Sequence, residues 1–342
     1  MTKLNYLLNG RISDIFIGEN WAGVRELLPS GQTIIITDSN VSNLYSGEFP
    51  DCQVLTLSPG ESSKTLSVID QLIQELLKLE VDRSYFLLGI GGGVICDITG
   101  FLASIYMRGL KFGFVSTSLL SQVDASVGGK NGVNSRSFKN VIGCFTQPEF
   151  VICDTAMLQT LPTEDFKSGL AELVKYALIS DSALFNILEE DEAKINAGNV
   201  ELMNELVSRS VKIKMKIVEK DEREEGERRL LNFGHTIGHA IEAVSGLKHG
   251  LAVARGMYFS SLISFEEGYL SKDKFKRIVS LLKSLDLVPD KPQINRSYLD
   301  MVKRDKKREK DIIHFVLLKD IGEAFIRDMQ LEDLVKWMEN RL

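Results

Sequence analysis

Histidine and cysteine are scarce in this chain, with four of each among 342 residues. None of the cysteines (Cys52, Cys96, Cys144 and Cys153) belongs to a CxxC pair, so we expect buried, reduced thiols and no disulfide framework. The N-terminal segment lacks the long apolar core of a signal peptide, and no apolar run is long enough to span a bilayer. These absences predict a soluble, cytoplasmic protein.

Positive charge is also in deficit, because 41 Lys and Arg residues face 47 Asp and Glu residues and the formal net charge is −6. This balance argues against a general binder of nucleic acid or of anionic membranes, although a local basic pocket is compatible with it. Hydrophobic residues make up 44% of the chain, which is enough for a full core. The length predicts one large domain or two ordinary ones.

The first half of the chain alternates short apolar runs with amphipathic stretches. We predict strands at 33–37, 53–57, 84–88, 112–116 and 150–153, and a helix over 94–107. Strand and helix alternating in this way indicate a parallel, doubly wound sheet. Lys139 and Asn140 follow a Ser-rich loop.

Helical periodicity dominates after Leu161 and Pro162, with Thr163 as the predicted cap of a long helix. The exception is a hairpin predicted across 312–326. We therefore predict an α/β protein with a Rossmann-like parallel-sheet domain in residues 1–154. A mainly α-helical domain that binds metal and substrate is predicted in residues 155–342.

Three of the four histidines fall close together around one predicted helix. His235 and His239 are four positions apart and share a helix face. His249 follows a predicted turn at Ser245 and Gly246. Two imidazoles and one carboxylate form a known catalytic zinc set, for which Glu172 is the candidate acid. The spacing leaves open whether His235 and His239 both bind metal or one of them is an acid or base.

The segment GIGGGVICD follows a predicted strand and precedes a helix, which is typical of a turn that binds a pyrophosphate. The pattern is not GxGxxG, and an ordinary tight turn is the alternative. Asp38 at the end of an early strand suits a ribose hydroxyl, and Asp97 can cap its helix or bind a ligand hydroxyl. Glu61 and Lys64 can flank a nucleotide or form a helical turn.

Several basic residues lie at apolar or glycine-rich places, and each one alone is typical of a solvated surface charge. Grouped around a metal, they would instead indicate a substrate with phosphate and carboxylate groups. The residues are Lys130, Lys139, Lys175, Lys214 and Arg228.

Taken in order, eight segments resemble the 3-dehydroquinate synthase family of sugar-phosphate cyclases over 38–318, nearly the whole chain. They are PGESSKT, GGGVICDITGFLASIYMRG, LLSQVDASVGGKNGVN, KNVIGCF, GLAELVKYALI, RRLLNFGHTIGHAIE, HGLAVARGM and RDKKREKDIIHFVLL. Such a set is highly specific. Three departures from the usual pattern are present: Leu251 replaces the acid of HGEAV, Cys96 replaces a glycine, and Ser116–Thr117–Ser118 stands in place of PTT.

The resemblance implies a Rossmann-like NAD domain, a helical domain and a homodimer. It implies metal ligation by Glu172, His235 and His249, and a catalytic role without ligation for His239, together with Lys130 and Asn140. Implied substrate-binding residues are Asp124, Lys130, Asn140, Lys175, Lys214, Arg228, Asn232, His239 and a lysine of the Lys306–Lys307 pair, with Arg108 reaching the neighbouring subunit's site. Implied NAD+ contacts are Asp38, Glu61, Lys64, Gly92, Gly93, Asp97, Thr117, Ser118 and Lys139.

The resemblance also implies the reaction: conversion of 3-deoxy-D-arabino-heptulosonate 7-phosphate to 3-dehydroquinate and phosphate, in the shikimate pathway of aromatic amino acid and chorismate biosynthesis. The implied lyase uses NAD+ and Zn²⁺ or Co²⁺ for a transient oxidation, β-elimination of phosphate, reduction and aldol cyclisation.

Three alternatives compete with this interpretation. Another sugar-phosphate cyclase, such as a 2-epi-5-epi-valiolone or 2-deoxy-scyllo-inosose synthase, would change the residues that read the carboxylate. A polyol dehydrogenase of the glycerol dehydrogenase group would need a less cationic pocket and would reduce NAD+ in a net reaction. A catalytically dead NAD-binding protein would be expected to lose a ligand or a pocket lysine, and none is lost.

Overall fold

A computed structural model describes residues 1–8, 11–136, 138–304 and 312–342 of the chain. The backbone divides into two compact units: unit 1 contains Met1–Leu161 and Met203–Val211, and unit 2 contains Pro162–Leu202 and Lys212–Leu342. The predicted boundary after residue 154 stays a prediction for the functional domains. No helix in the described ranges combines the length and hydropathy that crossing a bilayer would require.

Unit 1 is built on a seven-stranded sheet in the order β1–β2–β9–β6–β5–β3–β4, in which all neighbours but β1 and β2 run parallel. The strands are β1 (Thr2–Leu8), β2 (Arg11–Ile17), β3 (Thr33–Asp38), β4 (Gln53–Leu57), β5 (Phe86–Gly91), β6 (Lys111–Ser116) and β9 (Phe150–Cys153). The helices of this half are α1 (Val24–Leu27), α2 (Ser39–Tyr45), α3 (Leu66–Lys78) and α4 (Gly93–Ile105). The predicted parallel α/β sheet is confirmed.

The central strands of this sheet are covered on both faces, which explains their continuous apolar sequences. Every residue of β5 is buried, and Ile35, Leu88 and Ile152 lie in one hydrophobic cluster with Trp21 and Phe86. Counted among β3, β4, β5, β6 and β9 alone, the order is 2-1-3-4-5, so the connections reverse direction between β3 and β5. Ligands of open α/β sheets bind at the carboxyl ends of the strands beside such a reversal.

Unit 1 also contains a second, two-stranded sheet, which the sequence analysis did not predict. Strands β7 (Lys130–Ser135) and β8 (Phe138–Phe145) form an antiparallel hairpin. Val133 pairs with Ile142 and Ser135 with Phe138, so one residue of β7 faces three residues of β8 in a bulge. Most of β8 is exposed, so its sequence lacks the hydrophobic alternation on which a strand prediction depends.

Unit 2 is mainly helical, as predicted. Its helices are α5 (Thr163–Ser180), α6 (Ser182–Glu190), α7 (Glu192–Asn196), α8 (Val200–Lys220), α9 (His235–Ser245), α10 (His249–Glu266), α11 (Lys272–Ser284), α12 (Arg296–Arg304) and α13 (Leu331–Glu339). Part of α8, Met203–Val211, belongs to unit 1. The predicted hairpin is confirmed as β10 (Ile312–Asp320) and β11 (Glu323–Gln330).

Two details of the sequence prediction are corrected by the structure. Thr163 does not cap α5: it is the first helical residue, and Pro162 occupies the cap position without a side-chain hydrogen bond. Only Cys96 and Cys153 among the four cysteines are buried, whereas Cys52 and Cys144 are half-buried. All four thiols are free.

Candidate metal centre and active site

The Glu172 carboxylate belongs to unit 2 and lies in the middle of α5. Its side chain is fully buried, with 0% exposure. Burying a carboxylate costs several kcal/mol unless a counter-charge or a metal ion compensates. The Lys175 ammonium forms an ion pair with Oε2, and Oε1 accepts no hydrogen bond from any described residue. An acceptor that is buried and unsatisfied in this way fits a bound cation.

His235 faces this carboxylate from the first position of α9. Gly234 precedes the helix and adopts φ +80°, so the helix starts at His235. A Cβ on Gly234 would lie 2.8 Å from the Val253 carbonyl oxygen of α10. His235 Nδ1 lies 3.1 Å from the Phe233 carbonyl oxygen, and Nε2 lies 3.9 Å from Glu172 Oε1. Burial, and then the charge of Lys175, lower the pKa of His235 well below its usual value. The imidazole is therefore neutral, the form that binds metals.

His249 approaches the same oxygen from the first position of α10. The start of α10 packs tightly on α5: the Gly250 N–H donates to Ser168 Oγ at 3.0 Å, and a Cβ on Gly250 would lie 1.9 Å from the Ser168 carbonyl oxygen. His249 Nε2 lies 3.9 Å from Glu172 Oε1, and Nδ1 lies 3.1 Å from Glu242 Oε2. A hydrogen-bond acceptor on Nδ1 orients a ligating histidine with Nε2 towards the metal.

The donor atoms of Glu172, His235 and His249 all lie within 4.8 Å of one another. One ion with bonds of about 2.0–2.2 Å can bridge the 3.9 Å separations. A second possible set combines His239, Glu242 and His249. The first set is favoured because it accounts for the unsatisfied Glu172 oxygen, whereas His239 is exposed.

His239 lies one turn beyond His235 on α9. Its ring centroid is 5.3 Å from that of His235 and 5.9 Å from that of His249. An exposed imidazole next to the candidate ligands suits proton transfer. Leu251, at the position of the family's usual acid, is half-buried in the first turn of α10.

Three cations of unit 2 are almost completely buried: Lys175, Lys214 and Arg228, at 1%, 6% and 2% exposure. Folded proteins rarely bury Lys or Arg this far without an anionic partner, and Lys175 has one in Glu172. The Arg228 guanidinium donates to the Glu222 carbonyl oxygen, and the Asn232 amide donates to the Glu224 carboxylate.

Asp221 organises the loop that precedes Arg228. Its carboxylate accepts from the N–H groups of Glu225 at 3.0 Å, Gly226 at 2.7 Å and Arg228 at 3.0 Å. These bonds fold the charged segment back before the 3₁₀ helix Glu227–Asn232 begins. The loop is therefore a fixed support for Arg228 and Asn232.

In unit 1, the glycine turn lies at the carboxyl end of β5, beside the reversal of strand order. A Cβ on Gly92 would lie 3.1 Å from Ser118 Oγ, and one on Gly93 would lie 3.0 Å from the Ala125 Cβ. The Thr117 N–H donates to the Gly91 carbonyl oxygen at 3.0 Å. The turn is therefore closely packed, with the N-terminus of α4 directly after it.

Asp38 and Ser118, the other predicted NAD+ contacts at this edge, already hold local structure. Asp38 Oδ1 caps α2 by accepting from the N–H groups of Asn40 at 2.9 Å and Val41 at 3.2 Å. Ser118 Oγ lies 2.9 Å from Ser121 Oγ. The structure places Asp38 at the end of β3 and Ser118 just beyond β6, the two neighbours of β5.

A polar network joins four predicted residues of unit 1 to one that the sequence reasoning missed. The Lys64 ammonium, 4% exposed, bonds to the Asp97 carboxylate and the Asn140 amide oxygen. Asn134 Nδ2 donates to Glu61 Oε1, and Asn134 Oδ1 accepts from the Asn140 N–H, both at 2.8 Å. Glu61–Ser63 forms a 3₁₀ turn, and the NAD+ contact of Glu61 stays a prediction.

The remaining predicted residues of unit 1 are distributed along its surface. Lys130 and Lys139 are exposed on the hairpin, Asp124 is half-buried in a π-helical turn, and Arg108 is exposed after α4 with φ +68°. Lys306 and Lys307 lie outside the described residues.

The sequence reasoning missed Glu242 and Asn134. Glu242 lies three residues after His239 on α9, so an acid on the histidine face was the available signal. Asn134 carries no comparable signal, because its partners come from separate parts of the chain.

Two family models match this chain in consecutive segments. The model described as "3-dehydroquinate synthase N-terminal" matches residues 54–168, and "3-dehydroquinate synthase C-terminal" matches residues 169–308. Among curated proteins, a 3-dehydroquinate synthase of Thermoanaerobacter pseudethanolicus is 39% identical over 325 residues, which cover 92% of this chain and 91% of the relative.

Solved structures of related cyclases share the whole fold. A 2-deoxy-scyllo-inosose synthase complexed with carbaglucose-6-phosphate, NAD+ and Co²⁺ matches with a TM-score of 0.88 and 25% identity over 100% of both chains. A 2-epi-5-epi-valiolone synthase from Streptomyces hygroscopicus, with NAD+ and Zn²⁺ bound, matches with a TM-score of 0.87 and 25% identity over 98% of both chains.

Proposed function

The chain belongs to the 3-dehydroquinate synthase family, and on that premise we propose that it converts 3-deoxy-D-arabino-heptulosonate 7-phosphate to 3-dehydroquinate and phosphate in the shikimate pathway. It is a lyase that uses NAD+ and a divalent metal ion. The observation that carries the proposal is the buried Glu172 carboxylate, with Nε2 of His235 and of His249 each 3.9 Å away.

Residues of both units would hold the two cofactors. Glu172, His235 and His249 would ligate Zn²⁺ or Co²⁺. When bound, NAD+ supplies a reversible hydride acceptor, and the metal ion supplies a Lewis acid that lowers the pKa of a substrate hydroxyl. The NAD+ contacts of unit 1 would be those implied by the resemblance: Asp38, Glu61, Lys64, Gly92, Gly93, Asp97, Thr117, Ser118 and Lys139.

The buried cations of unit 2 would bind the anionic groups of the substrate. Lys175, Lys214 and Arg228 lie out of water, where attraction to a phosphate or carboxylate is strong. The Arg228 fork suits a planar carboxylate, and the loop organised by Asp221 keeps it and Asn232 in place. Such fixed contacts restrict the open-chain intermediate before the ring closes.

Proton transfer would fall to His239, whose exposed imidazole lies beside the proposed ligands His235 and His249. From unit 1, Lys130, Asn140 and Asp124 would contact the substrate. We further propose a cytoplasmic homodimer in which Arg108 reaches the neighbouring subunit's site, consistent with its exposed position after α4.

A different sugar-phosphate cyclase activity is the second candidate, because solved cyclases of other specificity share the fold. Sequence identity favours the first candidate: the curated 3-dehydroquinate synthase is 39% identical, against 25% for these two cyclases. The full set of Arg228, Asn232 and His239 also favours a substrate that carries a carboxylate.

Release of phosphate from the heptulosonate phosphate tests the proposal directly. We expect release with NAD+ and metal present, loss of release after a chelator, and recovery on adding Zn²⁺ or Co²⁺. The reaction should leave no net NADH, because the hydride returns in every turnover.

Three results would contradict the proposal. The first is no release with both cofactors present, and the second is accumulation of NADH, which indicates a polyol dehydrogenase. The third is faster release from a sugar phosphate that lacks the carboxylate, which indicates a different cyclase. His235→Ala, which removes a proposed ligand, is the matched inactive control.

A further inference from the structure

The bulge in the β7–β8 hairpin is the feature from which a further role can be argued. Because Val133 pairs with Ile142 and Ser135 with Phe138, Asn134 faces the segment 139–141. That segment contains Lys139 and Asn140, for which cofactor and substrate contacts are proposed above. Bulges next to active sites redirect side chains, and this one places Asn140 in the left-handed region, at φ +53°.

Asn134 makes three hydrogen bonds, two of which tie this bulge to Glu61 and Lys64. Its Oδ1 accepts from the Asn140 N–H at 2.8 Å, and its Nδ2 donates to Glu61 Oε1 at 2.8 Å. Its backbone N–H donates to the Lys64 carbonyl oxygen at 2.8 Å. Both ends of the amide are used, so its orientation is fixed.

Lys64 completes this hydrogen-bond network, because its ammonium bonds to the Asn140 amide oxygen and to Asp97. The backbone and the side chain of Asn140 are therefore held separately, one by Asn134 and one by Lys64. A residue with positive φ keeps its orientation only when surrounding contacts enforce it.

We propose that Asn134 is a positioning residue: its amide holds Glu61 for NAD+ and the Asn140 backbone for the sugar-phosphate substrate, and so couples the two binding regions of unit 1. This inference rests on the proposed function, since it assigns Glu61 to the cofactor and Asn140 to the substrate. Asn134 itself touches neither ligand.

Two substitutions separate the two ends of the amide. Asn134→Ala removes both bonds, so NAD+ affinity should fall by about tenfold and the KM for the heptulosonate phosphate should rise by about tenfold. Asn134→Asp keeps an oxygen for the Asn140 N–H but places a carboxylate against Glu61. Its KM should return to within about threefold of wild type while NAD+ affinity stays weak.

The matched control is Asn131→Ala on the same strand. Asn131 Nδ2 donates to the carbonyl oxygens of Gly129 at 3.0 Å and Thr146 at 2.8 Å, neither of which is a proposed site residue. This variant should lower Tm without changing NAD+ affinity or KM. NAD+ affinity is measured by calorimetry on the metal-loaded enzyme, and KM and kcat by phosphate release.

The inference is overturned if Asn134→Ala binds NAD+ and substrate within twofold of wild type. It is also overturned if Asn134→Asp and Asn134→Ala raise KM equally, because the retained acceptor then does nothing. If the wild-type protein binds NAD+ but releases no phosphate, only the proposed function is refuted. Calorimetry of the Asn134 variants would still measure how the bond from Asn134 to Glu61 affects NAD+ affinity.

Discussion

Replacing Glu242 by alanine should weaken metal binding without removing any proposed ligand. Glu242 Oε2 lies 3.1 Å from His249 Nδ1, and this contact directs Nε2 towards Glu172. Loss of such an acceptor typically lowers metal affinity by about 10- to 100-fold, which corresponds to about 1.4–2.7 kcal/mol. Glu242→Gln should stay close to wild type, because the amide oxygen can still accept from Nδ1–H.

The competing metal set makes the experiment decisive. If the ion were held by His239, Glu242 and His249, then Glu242 would be a ligand. In that case Glu242→Gln and His239→Ala would each strip the metal, and Glu172→Gln would retain it. With Glu172, His235 and His249 as ligands, His249→Ala loses the metal while His239→Ala keeps it and loses rate.

Affinity is measured on apo-protein by competition with a chromophoric chelator for Zn²⁺. The visible absorption of the Co²⁺ form gives an independent reading of the ligand set. The reasoning fails if Glu242→Ala binds Zn²⁺ as tightly as wild type, or if His239→Ala loses the ion as completely as His235→Ala. Circular dichroism and Tm of each apo-variant control for misfolding.

Two further predictions concern packing and thiol chemistry. Gly250→Ala should destabilise the protein by about 1–3 kcal/mol and weaken metal binding, because the added Cβ would lie 1.9 Å from the Ser168 carbonyl oxygen and displace α10. Gly47→Ala, where a Cβ has no atom within 4 Å, is the control in thermal unfolding. Equal Tm values for the two variants would contradict the packing argument. Burial raises the pKa of the Cys96 and Cys153 thiols, so at pH 8 they remain protonated and should resist alkylation until the protein unfolds. Rapid labelling of either thiol in the native protein, measured by mass spectrometry, would refute this prediction.

The sequence predicted those parts of the fold whose signals are local. Ile34–Ile36 of β3 and Phe86–Leu88 of β5 are continuous apolar runs, because both faces of a central parallel strand are covered. The β7–β8 hairpin was missed, because β8 is exposed and its bulge breaks the alternation. Thr163 was assigned as a cap, although Pro162 ends the preceding segment and takes that position.

The candidate site divides in the same way. Spacing alone brought His235, His239 and His249 together, but it could not choose among them. The structural distinction is the direction of each ring, which depends on the Phe233 carbonyl and on Glu242. Asn134 was beyond prediction, because its partners lie 73 and 6 residues away and meet only in the folded chain.

Helix α8 contributes residues to both units, and this limits how a fragment that contains only unit 1 can be expressed. Met203, Leu206, Val207 and Val211 are buried, and the Thr155 hydroxyl bonds to the Asn204 amide oxygen at 2.6 Å within unit 1. A fragment that stops at residue 161 would therefore expose a hydrophobic patch that the distant segment Met203–Val211 normally covers. Unit 1 is not encoded by one continuous stretch, so a soluble cofactor-binding fragment requires that segment to be grafted onto it.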